Sequence, residues 1–232
     1  MKNSGIKHIF FDLDHTLWDF ETNSKQTLLE IYEQFIADFQ TCTFEEFYQT
    51  YKTVNEAYWS LYRKNQTTKT QLRTGRFHDT LKKFKINDEK LAETIATYYV
   101  THSPRKTALF NGTRETLQQL SLKYQLHIIT NGFEEVQHLK LQTCNLTPFF
   151  TQIITSEKAG VKKPLPDIFV YAMKVSGAQV HNSVMVGDSF EADIAGAANV
   201  GWKQIFFNPR RQKTPFKPTA IIYSIPELLE IL

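Results

Sequence analysis

The chain has 232 residues, 41% hydrophobic and 22% charged, which is the ordinary composition of a globular protein and enough to bury a sizeable core as one large domain or two small ones. Its formal net charge of +3 comes from lysines and arginines spread along the sequence, and the one basic run, Arg210-Arg211-Gln212-Lys213, lies between Pro209 and Pro215 and reads as a solvated loop, so no nucleic-acid partner is expected. Cys42 and Cys144 match no metal spacing and suit a reducing compartment, no run reaches membrane-spanning length, and Met1–Gly5 leads into the first strand without the apolar core of a signal peptide, so the expectation is a cytoplasmic protein with no membrane partner.

Residues 6–12 are apolar with aromatic weight and predict a buried strand. From Thr22 to His102 the period becomes helical. Leu28, Tyr32, Phe35, Ile36 and Phe39 share one face, and Thr43 with Glu46 forms a capping-box pattern ahead of Phe47, Tyr48, Tyr51, Val54 and Tyr58. Further helical patterns surround Leu72–Phe84 and Leu91–Tyr99. After Pro104 helices and strands alternate: helix 113–123, strand 126–130, helix 133–143, strand 152–155, helix 166–176, strand 183–187, helix 190–199 and strand 204–207. Ala220–Tyr223 reads as a final strand and Pro226–Leu232 as a short helix. Alternation of this kind implies βαβ units, a parallel sheet and an α/β class, doubly wound, with an all-helical subdomain inserted after the first strand. The boundaries read as 1–17 and 103–232 for the core and 18–102 for the insertion. An insertion leaving from the loop after the first strand can serve as a lid.

In an open α/β sheet, ligands bind beyond the carboxyl ends of the strands. Those ends deliver Asp12 and Asp14, then Thr130-Asn131-Gly132, then the segment Ser156–Pro164 with Lys163, then Gly187-Asp188-Ser189 with Asp193 beyond. Hard oxygen ligands of this kind suit Mg²⁺, and a hydroxyl with an ammonium suits a phosphate dianion. Taken singly, each segment also reads as a turn, a surface lysine or a helix cap.

These motifs resemble those of the haloacid dehalogenase (HAD) superfamily, and specifically its phosphatases. Asp12-Leu13-Asp14-His15-Thr16 is similar to motif I, Thr130 to motif II, Lys163 before Pro164 to motif III, and Gly187-Asp188-Ser189-Phe190-Glu191-Ala192-Asp193 to motif IV. The insertion resembles the C1-type cap on a Rossmann-like core. Motif I extended through Trp18-Asp19-Phe20, with Thr130-Asn131-Gly132-Phe133 later, looks most like the noncanonical pyrimidine 5′-nucleotidases.

The resemblance implies a Mg²⁺-dependent phosphate monoester hydrolase acting through an aspartyl-phosphate, on nucleoside 5′-monophosphates with pyrimidines preferred. Asp12 is then the nucleophile and Asp14 the acid–base. Thr130, Asn131 and Lys163 bind phosphate, with Lys158 a weaker rival for the lysine. Asp12, the main-chain carbonyl of Asp14 and Asp188 hold the metal, while Asp193 orients metal-bound water or the nearby loop. Cap candidates for substrate contact are Trp18, Phe20, Tyr58, Trp59, Tyr62, Arg73 and Arg76, although aromatics at helical spacing also read as core. Arg73 and Arg76 flank Gly75 in what reads as a loop. The alternatives are a phosphatase for another small metabolite such as phosphoglycolate or a sugar phosphate, a haloacid dehalogenase, and a non-catalytic binding protein. Dehalogenases lack the second aspartate, and a binding protein would be expected to have lost one of Asp12, Asp14, Lys163 and Asp188. Oligomeric state is not legible in the sequence.

Overall fold

Strand β1, His8–Phe11, is buried along its whole length, so both faces of the sheet must be covered. The computed structural model describes residues 5–232; Met1–Ser4, part of the segment read as leading straight into the first strand, lies outside them. Along β1 the pleat sends Ile9 and Phe11 into one core and Phe10 into another. The chain then runs through helix α1 (Phe20–Ile31), α2 (Phe44–Arg63), α3 (Lys69–Lys83), α4 (Glu89–His102) and α5 (Thr113–Ser121) to β2 (Gln125–Thr130). Helix α6 (Glu134–Thr143), β3 (Phe150–Thr155), α7 (Ser156–Ala159), α8 (Pro166–Ser176) and β4 (Ser183–Gly187) follow. The remainder is α9 (Gly196–Asn199), β5 (Lys203–Phe207), β6 (Ala220–Ile222) and α10 (Leu228–Ile231).

Among the described residues the six strands form one sheet in the order β3-β2-β1-β4-β5-β6, parallel throughout. Phe11 stands in register with Ile128 on one side and Val186 on the other. The expected first strand, 6–12, is trimmed to its paired residues; Asp12 has left the strand, although its N–H still donates to the Val186 carbonyl at 2.9 Å.

The chain divides into two compact units. One comprises the chain up to Phe20 with Thr107–Leu232 and holds the sheet; the other, Glu21–Lys106, is helical. In the helical unit Leu28, Ile31, Phe47, Tyr51, Phe77, Leu81 and Ile95 form a core of their own. Thr43 caps α2 in a full capping box with Glu46, the pattern expected from the sequence. The face predicted from Leu28 through Phe39 holds only to Ile36. The chain widens into a π-helical turn at Tyr32–Ile36, which shifts the helical register, and stops at Gln40 in the left-handed region (φ 53°), so Phe39 stays exposed. No helix among the described residues is long and apolar enough to cross a membrane.

Candidate active site

The strand order reverses between β1 and β4, because the chain winds one way to β2 and β3 and the other way to β5 and β6. Loops after the two central strands therefore diverge and leave a crevice at their carboxyl ends. Asp12 follows β1 and Asp188 follows β4, so the sheet itself brings them together. Carboxylate oxygens of Asp12, Asp188 and Asp193 lie within 4.8 Å of one another.

Lys163 holds this cluster. Its ammonium is buried and donates to Asp12 Oδ1 at 2.7 Å, Asp193 Oδ1 at 2.6 Å and the Ile129 carbonyl at 2.7 Å, which occupies its three protons. Burial alone would lower its pKa; Asp12 and Asp193 outweigh that and hold it above the ordinary lysine range. Asp193 reaches Lys163 because Phe190–Ala195 is a π-helical turn, wider than the expected α-helix 190–199, capped by Ser189. Its Oδ2 accepts from the Ser189 N–H at 3.0 Å and fills the space over Gly187, where a Cβ would stand 2.2 Å from it. Burial, then the neighbouring carboxylates, raises Asp188 well above the ordinary carboxyl range; burial also raises Asp12, against the pull of Lys163.

Thr16, fully buried, ties the two loops. Its hydroxyl donates to Asp188 Oδ1 and accepts from the Asp188 N–H, each at 3.1 Å. Thr16 is the last residue of the segment similar to motif I. Asp14 lies outside the three-carboxylate cluster. Gln137 Nε2 donates to its Oδ2 at 3.0 Å, and Lys140 Nζ lies 2.5 Å from its Oδ1. Neither α6 residue was anticipated, since a glutamine and a lysine on a helix following a strand read as solvent-facing.

Thr130 Oγ1 donates to Gln137 Oε1 at 3.2 Å and accepts from the Gly132 N–H at 3.1 Å. The Asn131 side chain, expected to bind phosphate, grips the main chain of Lys163 instead, donating to its carbonyl at 2.9 Å and accepting from its N–H at 2.8 Å. Asn131 thereby sets where the lysine stands. Lys158, the rival lysine, is exposed.

Two expectations about substrate contact need correction, an open Trp18 ring and a loop around Gly75. Trp18 is fully buried, bridged in short antiparallel pairing to Leu109 and packed in the sheet's core, so its ring offers no open face. Phe20 is only half-buried, its ring 4.6 Å from that of His15. Arg73 and Arg76 lie within α3 and not in a loop: Gly75 is there because a Cβ would stand 2.5 Å from the Tyr58 hydroxyl. Arg76 is a core residue, donating to Asn55 Oδ1 at 2.7 Å with its guanidinium 4.8 Å from the Tyr99 ring. Arg73 lines a hollow with Thr70, Thr74, Ala96 and Thr97. Tyr58 donates to Asp79 Oδ2 at 2.8 Å, and Trp59 packs edge-on against Tyr62.

The donor set fits a divalent cation. Three carboxylates face one ammonium, burial already disfavours the charges of Asp12 and Asp188, and every donor is a hard oxygen. Asp193 spends both oxygens on Lys163 and Ser189, which leaves Asp12 and Asp188 as the better-placed ligands.

A family model for haloacid dehalogenase-like hydrolases matches residues 6–201. The chain belongs to that family. It is 32% identical over 230 residues to the pyrimidine 5′-nucleotidase YjjG of Escherichia coli (strain K12), covering 97% of this chain and 96% of the relative. Identity to the pyrimidine 5′-nucleotidase PynA of Streptococcus pneumoniae is 30%, covering 97% and 94%. Among solved structures, the HAD-hydrolase YfnB of Bacillus subtilis, bound to magnesium, superimposes with a TM-score of 0.88 at 26% identity over 98% of each chain. As the motifs implied, the protein is a HAD-like hydrolase on a Rossmann-like α/β core.

Proposed function

We propose that this hydrolase cleaves phosphate monoesters through an aspartyl-phosphate on Asp12, with nucleoside 5′-monophosphates as substrates and pyrimidines preferred. One observation carries the reading: two carboxylates of a single loop stand in separate environments, Asp12 against Lys163 in the cluster, Asp14 outside it and held by side chains of α6. Such a division suits two roles, nucleophile and proton donor. A carboxylate oxygen of Asp12 forms the new bond to phosphorus as the ester P–O bond breaks, and Asp14 gives its proton to the departing alcohol oxygen. Asp14 then takes a proton from water, whose oxygen attacks phosphorus and releases Asp12. Asp12, Asp188 and the Asp14 carbonyl would hold Mg²⁺, which offsets the repulsion between a dianionic phosphate and an anionic nucleophile. Thr130 and Lys163 would face the transferred group. Lys163 has three protein acceptors, so its first task is to hold Asp12 ionised and in place.

A dehalogenase has no leaving oxygen to protonate, and the presence of Asp14 argues against it. The pyrimidine preference is supported by the two nucleotidase relatives and by the half-buried His15–Phe20 pair beside Asp14, which offers an aromatic surface to a base. Cys42 and Cys144 form no disulfide with each other, which suits the cytoplasm. The test is kcat/KM with Mg²⁺ for UMP, dUMP, dTMP and purine monophosphates against phosphoglycolate and sugar phosphates. Nucleotides are expected to lead. Preference for phosphoglycolate or a hexose phosphate by more than about tenfold, roughly 1.4 kcal/mol of transition-state binding, overturns the nucleotidase reading and leaves the phosphatase reading standing.

A further inference from the structure

Lys140 stands out among the charged side chains. It lies in the middle of α6, is only 4% exposed, and stands 4.0 Å over the face of Trp18. A buried ammonium costs several kcal/mol unless it is paired, and an aromatic face offsets only part of that. Its partner is the Asp14 carboxyl, Oδ1 at 2.5 Å, an anion in the resting site that must take up a proton before the donating step. One turn earlier on the same helix, Gln137 is 1% exposed and donates to the other oxygen, Oδ2, at 3.0 Å. One rigid helix thus holds both oxygens of one carboxylate. Gln137 is itself fixed, because its Oε1 accepts from Thr130 Oγ1.

We propose that Lys140 and Gln137 are positioning residues for the acid–base step: they hold the Asp14 carboxyl away from the Asp12–Asp188–Asp193 cluster, so that it serves the leaving oxygen and does not become a fourth carboxylate of the cation site. Three observations support this. Asp14 comes only two residues after Asp12 on a loop, so without a tether its side chain is free to turn toward the same cation. The tether is buried and therefore costly, which surface packing would not require. The two catalytic aspartates have separate ammonium partners, Lys163 for Asp12 and Lys140 for Asp14. The inference rests on the phosphatase reading given above.

The test compares two esters of similar size, p-nitrophenyl phosphate and phenyl phosphate, with Mg²⁺ at saturation. The nitrophenolate leaves readily without a proton; the phenolate depends more on one. Lys140→Met keeps the aliphatic stem against Trp18 and removes the charge. The expected result is a fall in kcat for phenyl phosphate at least about tenfold larger than for p-nitrophenyl phosphate, within the roughly 10²–10⁴-fold that acid–base groups contribute, with KM little changed. Lys140→Arg, which keeps a cation, is expected to recover part of the loss, and Gln137→Leu to show the same leaving-group bias more weakly. An equal fall on both esters makes Lys140 structural and overturns the proposal, as does no fall on either. If circular dichroism shows that Lys140→Met does not fold, Gln137→Leu decides by the same ratio. Wild-type protein inactive on both esters refutes the phosphatase reading beneath the inference, an outcome separate from the others.

Discussion

Strand β1 has a buried ionisable group near each end, and the two ends handle burial in opposite ways. At its start, His8 and His127 stack in register-adjacent positions, rings 5.4 Å apart, with Nδ1 of one 3.1 Å from Nε2 of the other. Burial, then His8, pushes His127 down to about 4, so the pair sheds its charge and behaves as core, stacked on Phe10. Just beyond its other end, Asp12 meets Asp188 and Asp193, and charge is concentrated there around Lys163. The histidines stay buried by becoming neutral, and stability is what they serve. The aspartates are crowded where burial and mutual repulsion disfavour their charges, with one ammonium among them, an arrangement that suits the cation and the phosphate proposed above.

The comparison breaks first, and most severely, at Asp12. Asp12→Asn is expected to abolish turnover in a phosphatase assay, since an amide cannot form the aspartyl-phosphate. Thermal unfolding of the same variant is expected to show no loss of stability, because a neutral side chain relieves repulsion with Asp188 and Asp193 while Lys163 keeps Asp193 and the Ile129 carbonyl as partners. A fall in Tm matching the loss of activity would place Asp12 with the structural histidines.

The cluster end should also respond to metal, and the histidine end should not. Excess chelator is expected to remove activity reversibly, and Ca²⁺ to restore it poorly, because its larger and looser shell misplaces Asp12. In calorimetry, Mg²⁺ should raise the stability of the wild type by about 2.7 kcal/mol at a hundredfold excess over its dissociation constant, and much less in Asp188→Asn. Equal stabilisation of both proteins would remove Asp188 from the cation site.

Smallest in effect is the histidine end. The folded-state pKa of His127 lies below its unfolded value, so the unfolded chain binds the extra proton and stability is lost as pH falls from 6.5 toward about 4, then levels off. Full expression of that shift is worth roughly 3 kcal/mol. The carboxylates of the cluster, raised by burial, act in the opposite sense and mask it in the wild type alone. The measurement is therefore the stability difference between wild type and His127→Phe by denaturant titration at several pH values. The difference should move in favour of the variant across that window. A difference that stays constant with pH would mean that His127 keeps its proton in the fold.

Much of this fold was legible because a parallel sheet buried on both faces writes itself as apolar runs: Leu126–Thr130 and Ser183–Gly187 stand close to where the pattern put them. The aspartates, Thr130 and Lys163 were legible because strand ends in such a sheet converge. What stayed hidden depends on side-chain direction. Lys140 and Gln137 have the composition of a solvent face, and only the tertiary structure turns them inward. Trp18 follows the loop of Asp12 and Asp14 and looks available, yet its pairing with Leu109 carries it into the core. Arg73 and Arg76 look like loop residues because a glycine between them reads as a turn signal, whereas Gly75 serves the close passage of Tyr58 within a helix. The wide turns at Tyr32–Ile36 and Phe190–Ala195 leave no mark in a hydrophobic pattern read at 3.6 residues per turn.

The short pairing around Trp18 has a further consequence. Asp19 N–H donates to the Ala108 carbonyl and Phe110 N–H to the Leu17 carbonyl, each at 3.0 Å, so the chain is stitched to itself where the helical insertion departs and returns. In polymer terms the insertion is a loop whose ends are already joined. The entropy of closing such a loop grows only logarithmically, by about 0.6 kcal/mol for each doubling of its length. The sheet is therefore nearly indifferent to how much chain is inserted between Asp19 and Ala108. A stem of this kind makes the insertion a cassette: the excursion can be replaced while the carboxylates, Lys163 and Thr16 stay on the unit that remains.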